Sequence, residues 1–131
     1  MIVAFRRILL GPVAFLPPRG FVVVPVIPPH RLPDGTTARS ALVGWAGSEL
    51  RGYANVCRHQ AIPLDLGDGA VMTPDGKHLL CHHHGAVFEP LEGRCILGPC
   101  LGMRLWTWSV QIDALGDATL IVGGETASED V

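Results

Sequence analysis

Charge is what this sequence has little of. Charged residues make up 17% of its 131 positions and the formal net charge is -2. No basic field exists to hold a nucleic-acid backbone by counterion release, so nucleic acid is not expected as a partner. Long helical patterns are missing too, while glycine and proline are plentiful at 16 and 11. Many short strands joined by turns are expected, and the fold class reads as all-β. The four cysteines are too few and too unevenly placed to staple a chain of this length as a secreted disulfide scaffold. No internal repeat or low-complexity block is present. The length suits one ordinary domain, and 48% apolar residues suffice for one core.

Nor is there an unbroken apolar run long enough to span a bilayer. Arg6 and Arg7 stand ahead of apolar residues 8–16, in the order of a twin-arginine export signal. Pro12, Pro17 and Pro18 interrupt that stretch, and no small-residue cleavage site follows. It also falls short of the roughly 20 residues a transmembrane helix needs. Residues 1–20 are therefore read as an N-terminal apolar extension, packed beside the domain as a strand or loop, and no membrane partner is expected.

What is present alternates. FVVVPVIPP from Phe21 is β-branched and punctuated by prolines, as suits a first strand at a sheet edge. Residues 40–45 and 50–56 read as two strands around a Gly47-Ser48 turn, the second running straight into Cys57. Asp75-Gly76 marks a hairpin that delivers Cys81, and Glu92-Gly93 marks another just after His84. Trp106, Trp108, Val110 and Ile112 alternate with polar or smaller neighbours as in a half-buried strand, and residues 118–122 close the sheet. The small, acidic residues 123–131 read as a disordered tail.

Chemistry concentrates in Cys57-Arg58-His59 and, after 21 intervening residues, Cys81-His82-His83-His84-Gly85. Each cluster sits at a loop tip and offers a soft thiolate and an imidazole, a four-ligand set once the two tips face each other. Thiolates kept for a metal fit a reducing cytoplasm. A structural zinc also takes two cysteines and two histidines. Its usual spacings pair like ligands, as C-x₂₋₄-C and H-x₃₋₅-H, and this chain pairs unlike ones. An all-cysteine cluster fits less well, since Cys95-x₄-Cys100 is not followed by C-x₂-C.

The C-x-H and C-x-x-H pairs resemble the Rieske family over residues 21–122. Gly85, Phe88, Gly93 and Gly98-Pro99 add to the likeness, the last matching the loop that covers the cluster in that family. The resemblance implies an antiparallel β sandwich bearing a two-loop cluster-binding subdomain, with one [2Fe-2S] cluster per chain. It places Cys57 and Cys81 on an inner iron and His59 and His84 on an outer one. Imidazoles in place of thiolates make the centre less negative, so that Rieske potentials span roughly -150 to +300 mV against about -400 mV for plant-type ferredoxins.

Departures from the family pattern concern the potential. Respiratory members carry a further cysteine in each ligand loop, joined as a disulfide, where this chain has Ile62 and His83. They also place a serine and a tyrosine as hydrogen-bond donors after the last histidine, where this chain has Ala86 and Phe88. Fewer donors leave the reduced centre less stabilised, so the lower end of the range is expected.

Other residues receive ordinary readings. His82 and His83 are expected to face solvent, as are His30 and His78; Cys95 and Cys100 are expected to be buried as small apolar residues, and Trp106 and Trp108 to pack in the core. Arg58 and Gln60 flank His59 and are candidates for partner recognition. The implied function is electron carriage from a reductase to an oxygenase by a cytoplasmic Rieske ferredoxin with no catalysis of its own. The alternative is a small Rieske subunit of a nitrite reductase or oxygenase complex. An oxygenase's own mononuclear iron, held by two histidines and a carboxylate, finds no matching motif here.

Overall fold

The computed structural model describes residues 5–58 and 60–126. Among the described residues nine strands follow one another: β1 (Arg6–Pro12), β2 (Gly20–Arg31), β3 (Thr37–Ala46), β4 (Glu49–Ala54), β5 (Leu79–Leu80), β6 (Val87–Phe88), β7 (Cys95–Leu97), β8 (Thr107–Ile112) and β9 (Asp117–Thr126). A 3₁₀ turn, Val13–Phe15, lies between β1 and β2. No helix among the described residues is long and apolar enough to cross a membrane.

Six strands form one sheet in the order β1-β9-β8-β4-β3-β2, and β5-β6-β7 form a smaller one, with every pairing antiparallel. The large sheet curls until its two edges meet. The Arg6 guanidinium of β1 donates to the Pro28 carbonyl of β2 at 2.7 Å. His30 of β2 lies against the Glu125 carboxylate of β9, which also accepts from Trp108 Nε1 at 3.0 Å. The expected sandwich is thus one sheet folded over on itself.

Why the chain divides into two cores follows from the period of two on β3. Ala41 and Val43 face a cluster inside the curled sheet with Val26, Trp108, Leu120 and Val122. Leu42 faces the other way, onto a second cluster with Tyr53, Leu64, Leu79, Phe88 and Leu105 that lies beneath the small sheet. Tyr53, fully buried, donates its hydroxyl to the Pro90 carbonyl at 2.6 Å and so ties the large sheet to the hairpin of the small one.

Several boundaries move from their expected places. The segment read as an extension contains β1, which pairs with β9 from Arg6↔Val122 to Pro12↔Asp117. β9 itself continues to Thr126, beyond the expected start of the tail at Gly123, and residues 127–131 lie outside the described ones. β2 runs through its prolines because it is an edge strand; its ladder to β3 breaks between Pro25 and His30, where missing N–H groups do no harm. His30 and His78, expected on the surface, are half-buried.

Candidate metal centre

Two loops of the same design carry the cysteines. In the first, leaving β4, the Cys57 N–H donates to the Ile62 carbonyl at 2.6 Å and the Ala61 N–H returns to the Cys57 carbonyl at 2.9 Å. In the second, leaving β5, the Cys81 N–H donates to the Ala86 carbonyl and the Gly85 N–H to the Cys81 carbonyl, both at 2.8 Å. Each loop turns back through a residue of positive φ, Ala61 at 54° and Gly85 at 78°. In the second loop this turn leaves His82, His83 and His84 exposed while Cys81 points inward, and Cys57 is likewise buried at the root of the first.

Inward is where both thiols go. Cys57 and Cys81 have no solvent exposure, and their side chains hydrogen-bond to each other. That thiol contact does most to lower the Cys81 pKa, against the opposing effect of burial; the backbone N–H groups of His83 and His84 lower it further. Cys81 is held well below the ordinary thiol value, in the state a metal ligand requires. His84 is exposed, as are its neighbours His82 and His83. His59 lies outside the described residues, and among the described ones no set of three or more Cys, His, Asp or Glu side chains converges. Two adjoining buried sulfurs with an imidazole at the solvent side are a donor set suited to two irons in unequal surroundings.

The loops are fixed by residues the sequence did not single out. Asn55, buried at 1% exposure, accepts from the Leu64 N–H at 2.8 Å and donates to Ser40 Oγ at 3.0 Å and Asp65 Oδ1 at 2.9 Å. Burial acts to raise the Asp65 pKa, but hydrogen bonds from Asn55, Gly69 and Gly67 outweigh it and hold the carboxyl below its usual range. The two loops are then stitched together, His82 N–H to the Leu64 carbonyl at 2.9 Å and His83 Nε2 to the Asp65 carbonyl at 3.1 Å. A buried asparagine immediately after a strand was the only signal of this frame, and no spacing rule picks it out.

Arg58 does not face outward as a recognition residue. Its guanidinium lies 4.6 Å from the centre of the Trp106 ring and donates to the Arg104 carbonyl at 2.6 Å, pinning the first loop to the start of β8. Gln60 is exposed. Ala86 and Phe88 are fully buried beside the second loop, and Trp108 is in the core at 1% exposure, with Trp106 packed against the same cluster. Gly98, at φ 108°, brings the 98–99 turn against the second loop so closely that a Cβ there would lie 2.9 Å from Ala86 Cα. Cys95 and Cys100 are buried, as expected, and none of the four cysteines is in a disulfide.

The Rieske [2Fe-2S] domain model matches residues 23–113. No curated protein matches the chain. Among solved structures, a chain in the complex of reduced oxygenase and oxidized ferredoxin in carbazole 1,9a-dioxygenase is similar at 19% identity and TM-score 0.64, over 95% of this chain and 96% of that one. The ferredoxin of carbazole 1,9a-dioxygenase from Nocardioides aromaticivorans IC177 is similar at 19% identity and TM-score 0.61, over 87% of this chain and 95% of that one. The terminal oxygenase of carbazole 1,9a-dioxygenase from Novosphingobium sp. KA1 matches at 17% identity and TM-score 0.64, over 95% of this chain but 31% of its own. At these identities the likeness is one of fold.

Proposed function

Because the chain belongs to the Rieske [2Fe-2S] domain family, we propose that it shuttles single electrons from a reductase to an oxygenase, with Cys57 and Cys81 holding the inner iron and His59 and His84 the outer. The observation that carries the ligand set is the contact between the two buried thiols at the roots of matching loops, with His84 exposed above them. The cluster supplies reversible one-electron chemistry. Around it, the chain's own residues exclude water from the sulfur side and keep the imidazole side at the surface, where an electron has the shortest way out. Backbone N–H groups of His83 and His84 neutralise part of the thiolate charge at Cys81.

The surface near that exit suits a transient partner. Leu66 follows Asp65, whose carbonyl meets His83, and it is 61% exposed. Leu97 of β7, paired with Val87 just beyond the second loop, is 63% exposed. Apolar side chains near a solvent-facing ligand allow docking by desolvation, and the low charge of the chain argues against strong electrostatic capture. The end-to-end match to the carbazole dioxygenase ferredoxin, against partial coverage of the terminal oxygenase, favours a carrier over a catalyst. A cytoplasmic setting accords with ligand thiols that must stay reduced until metallated.

The test is iron and acid-labile sulfide per chain, together with the electron paramagnetic resonance spectrum of the dithionite-reduced protein. Two irons and two sulfides are expected for a [2Fe-2S] centre; zinc without sulfide overturns the reading. Stopped-flow mixing with a purified reductase and oxygenase then tests the carrier role. A complex with a catalytic subunit that survives size exclusion would instead establish the nitrite-reductase or oxygenase-subunit alternative.

A further inference from the structure

Cys95 and Cys100 bracket the turn that packs against the second ligand loop. Their Sγ atoms are 3.1 Å apart, and they are exposed by only 1% and 3%. Residues 96–99 between them are all exposed, so the segment is a surface arch standing on two buried sulfurs. Its feet are fixed by backbone bonds: Cys95 N–H to the Met103 carbonyl at 2.7 Å, Gly102 N–H to the Cys95 carbonyl at 3.0 Å, and Met103 N–H to the Cys100 carbonyl at 2.9 Å. At its crown Gly98 meets Ala86, the residue whose carbonyl receives the Cys81 N–H.

We propose that Cys95 and Cys100 are a disulfide-forming pair, a thiol-oxidation site separate from the ligand cysteines, whose closure staples this arch over the second ligand loop. The sulfurs are already in contact, so forming the bond needs a closure of about 1 Å towards the usual length near 2.05 Å. The Cys100 S–H donates to Cys95 Sγ. Burial pushes the Cys100 thiol upward, which makes Cys100 the poorer first nucleophile, so the first attack is assigned to Cys95 and the resolving step to Cys100.

The chemistry balances with a low-molecular-weight disulfide of the glutathione class as oxidant. Cys95 Sγ, having lost its proton, attacks one sulfur of that disulfide and expels a thiolate, which takes up the proton. Cys100 Sγ then attacks Cys95 Sγ in the mixed disulfide and releases the second small thiol, to which its own proton passes. Two protein thiols lose two electrons and one small disulfide gains them. Burial of both sulfurs means that the arch must lift for the first attack, so oxidation is slow beside that of an exposed thiol pair.

The cluster-bearing protein is equilibrated anaerobically in buffers of graded oxidised-to-reduced glutathione ratio, quenched in acid, alkylated and mapped by mass spectrometry. Expected is a chain lighter by two hydrogens, with Cys95 linked to Cys100 and alkylation of the pair down by about tenfold in the oxidising buffers. Recovery of both thiols in alkylatable form at every ratio, or stable glutathione adducts in place of the link, overturns the proposal. In Cys100→Ser the mixed disulfide should accumulate on Cys95, and its absence counts equally against the assigned order of attack. The link is read by mass whether or not metal is bound, so this result stands apart from the iron and sulfide analysis. In the linked form, iron loss to a chelator should slow severalfold; an unchanged rate refutes the stapling of the ligand loop.

Discussion

Ala61 and Gly85 occupy equivalent places in the two cysteine loops, each donating its N–H to the carbonyl of the cysteine four residues earlier and each at positive φ. Glycine adopts this conformation freely, whereas a residue with a Cβ is disfavoured there by roughly 1–2 kcal/mol. The first loop therefore carries strain that the second does not. A Cβ added at Gly85 meets nothing within 4 Å, so Gly85→Ala isolates the conformational effect. Urea denaturation should show Gly85→Ala less stable by about 1 kcal/mol and Ala61→Gly neutral or more stable by up to about 1 kcal/mol. Equal losses from both substitutions would show that the loops are not equivalent.

The ligand assignment makes a sharp division among the three consecutive histidines. Cys81→Ser and His84→Ala should each lose the cluster, seen as disappearance of visible absorbance and of acid-labile sulfide. His82→Ala and His83→Ala should keep it, with His83→Ala somewhat more labile because its ring bonds the Asp65 carbonyl. Retention of full iron in His84→Ala would require another imidazole to hold the outer metal.

Asn55 ties β3 to residues 64 and 65, against which the second loop is held, through three hydrogen bonds. In Asn55→Ala the buried Leu64 N–H loses its acceptor, and one unmet buried donor destabilises by about 1–3 kcal/mol. A loss of about 3 kcal/mol is expected once the other two bonds are included. The spectrum should stay native at low temperature while iron release to a chelator quickens, because the substitution loosens the frame and spares the ligands.

Acid should act on the same frame. The Asp65 carboxyl is depressed from its ordinary 3.8. A group of lowered pKa contributes stability that is fully present above the unfolded-state value of about 3.9, and lost as pH falls through the folded value. Cluster retention should then be flat from neutrality down to about pH 4 and fall below it. Asp65→Asn should flatten that acid limb, and an unchanged limb would move the cause to another carboxylate.

Two fully buried side chains set the expectation for potential. Ala86 and Phe88 bring no hydroxyl to the sulfurs. A potentiometric titration should fall at the low end of the Rieske range, and a midpoint well above roughly +100 mV contradicts it. Ala86→Ser should raise the midpoint by adding one donor.

Much of this was legible because local pattern and local geometry coincide. The alternation through Ser40 and Trp45 became β3, and the Asp75-Gly76 signal became a hairpin in which Thr73 N–H reaches the His78 carbonyl at 2.9 Å. The ligand spacing was readable because Cys81 and His84 lie within one tight turn, closed by the Gly85 N–H on the Cys81 carbonyl. What escaped depends on partners distant in sequence. The segment of β1 was read as packing beside the domain, but its partner β9, about 110 residues on, could not be named, and its interrupting Pro12 sits at the last pair. Arg58 looked outward from its neighbours alone, yet Trp106 and Arg104 draw it inward. His30 had no partner motif, and its partner is Glu125 in the last strand.

The contact between Arg6 and Pro28 bears on how the molecule behaves in a crowd. A strand edge with free N–H and C=O groups recruits other chains, and an open six-stranded sheet has two such edges. Here the edges face one another across the Arg6 bridge, and β2 lacks donors at Pro25, Pro28 and Pro29. Neither margin offers a continuous ladder to a neighbour. Edge-to-edge addition of a second copy is thereby disfavoured, because it would have to displace the Arg6 bridge and pair against prolines.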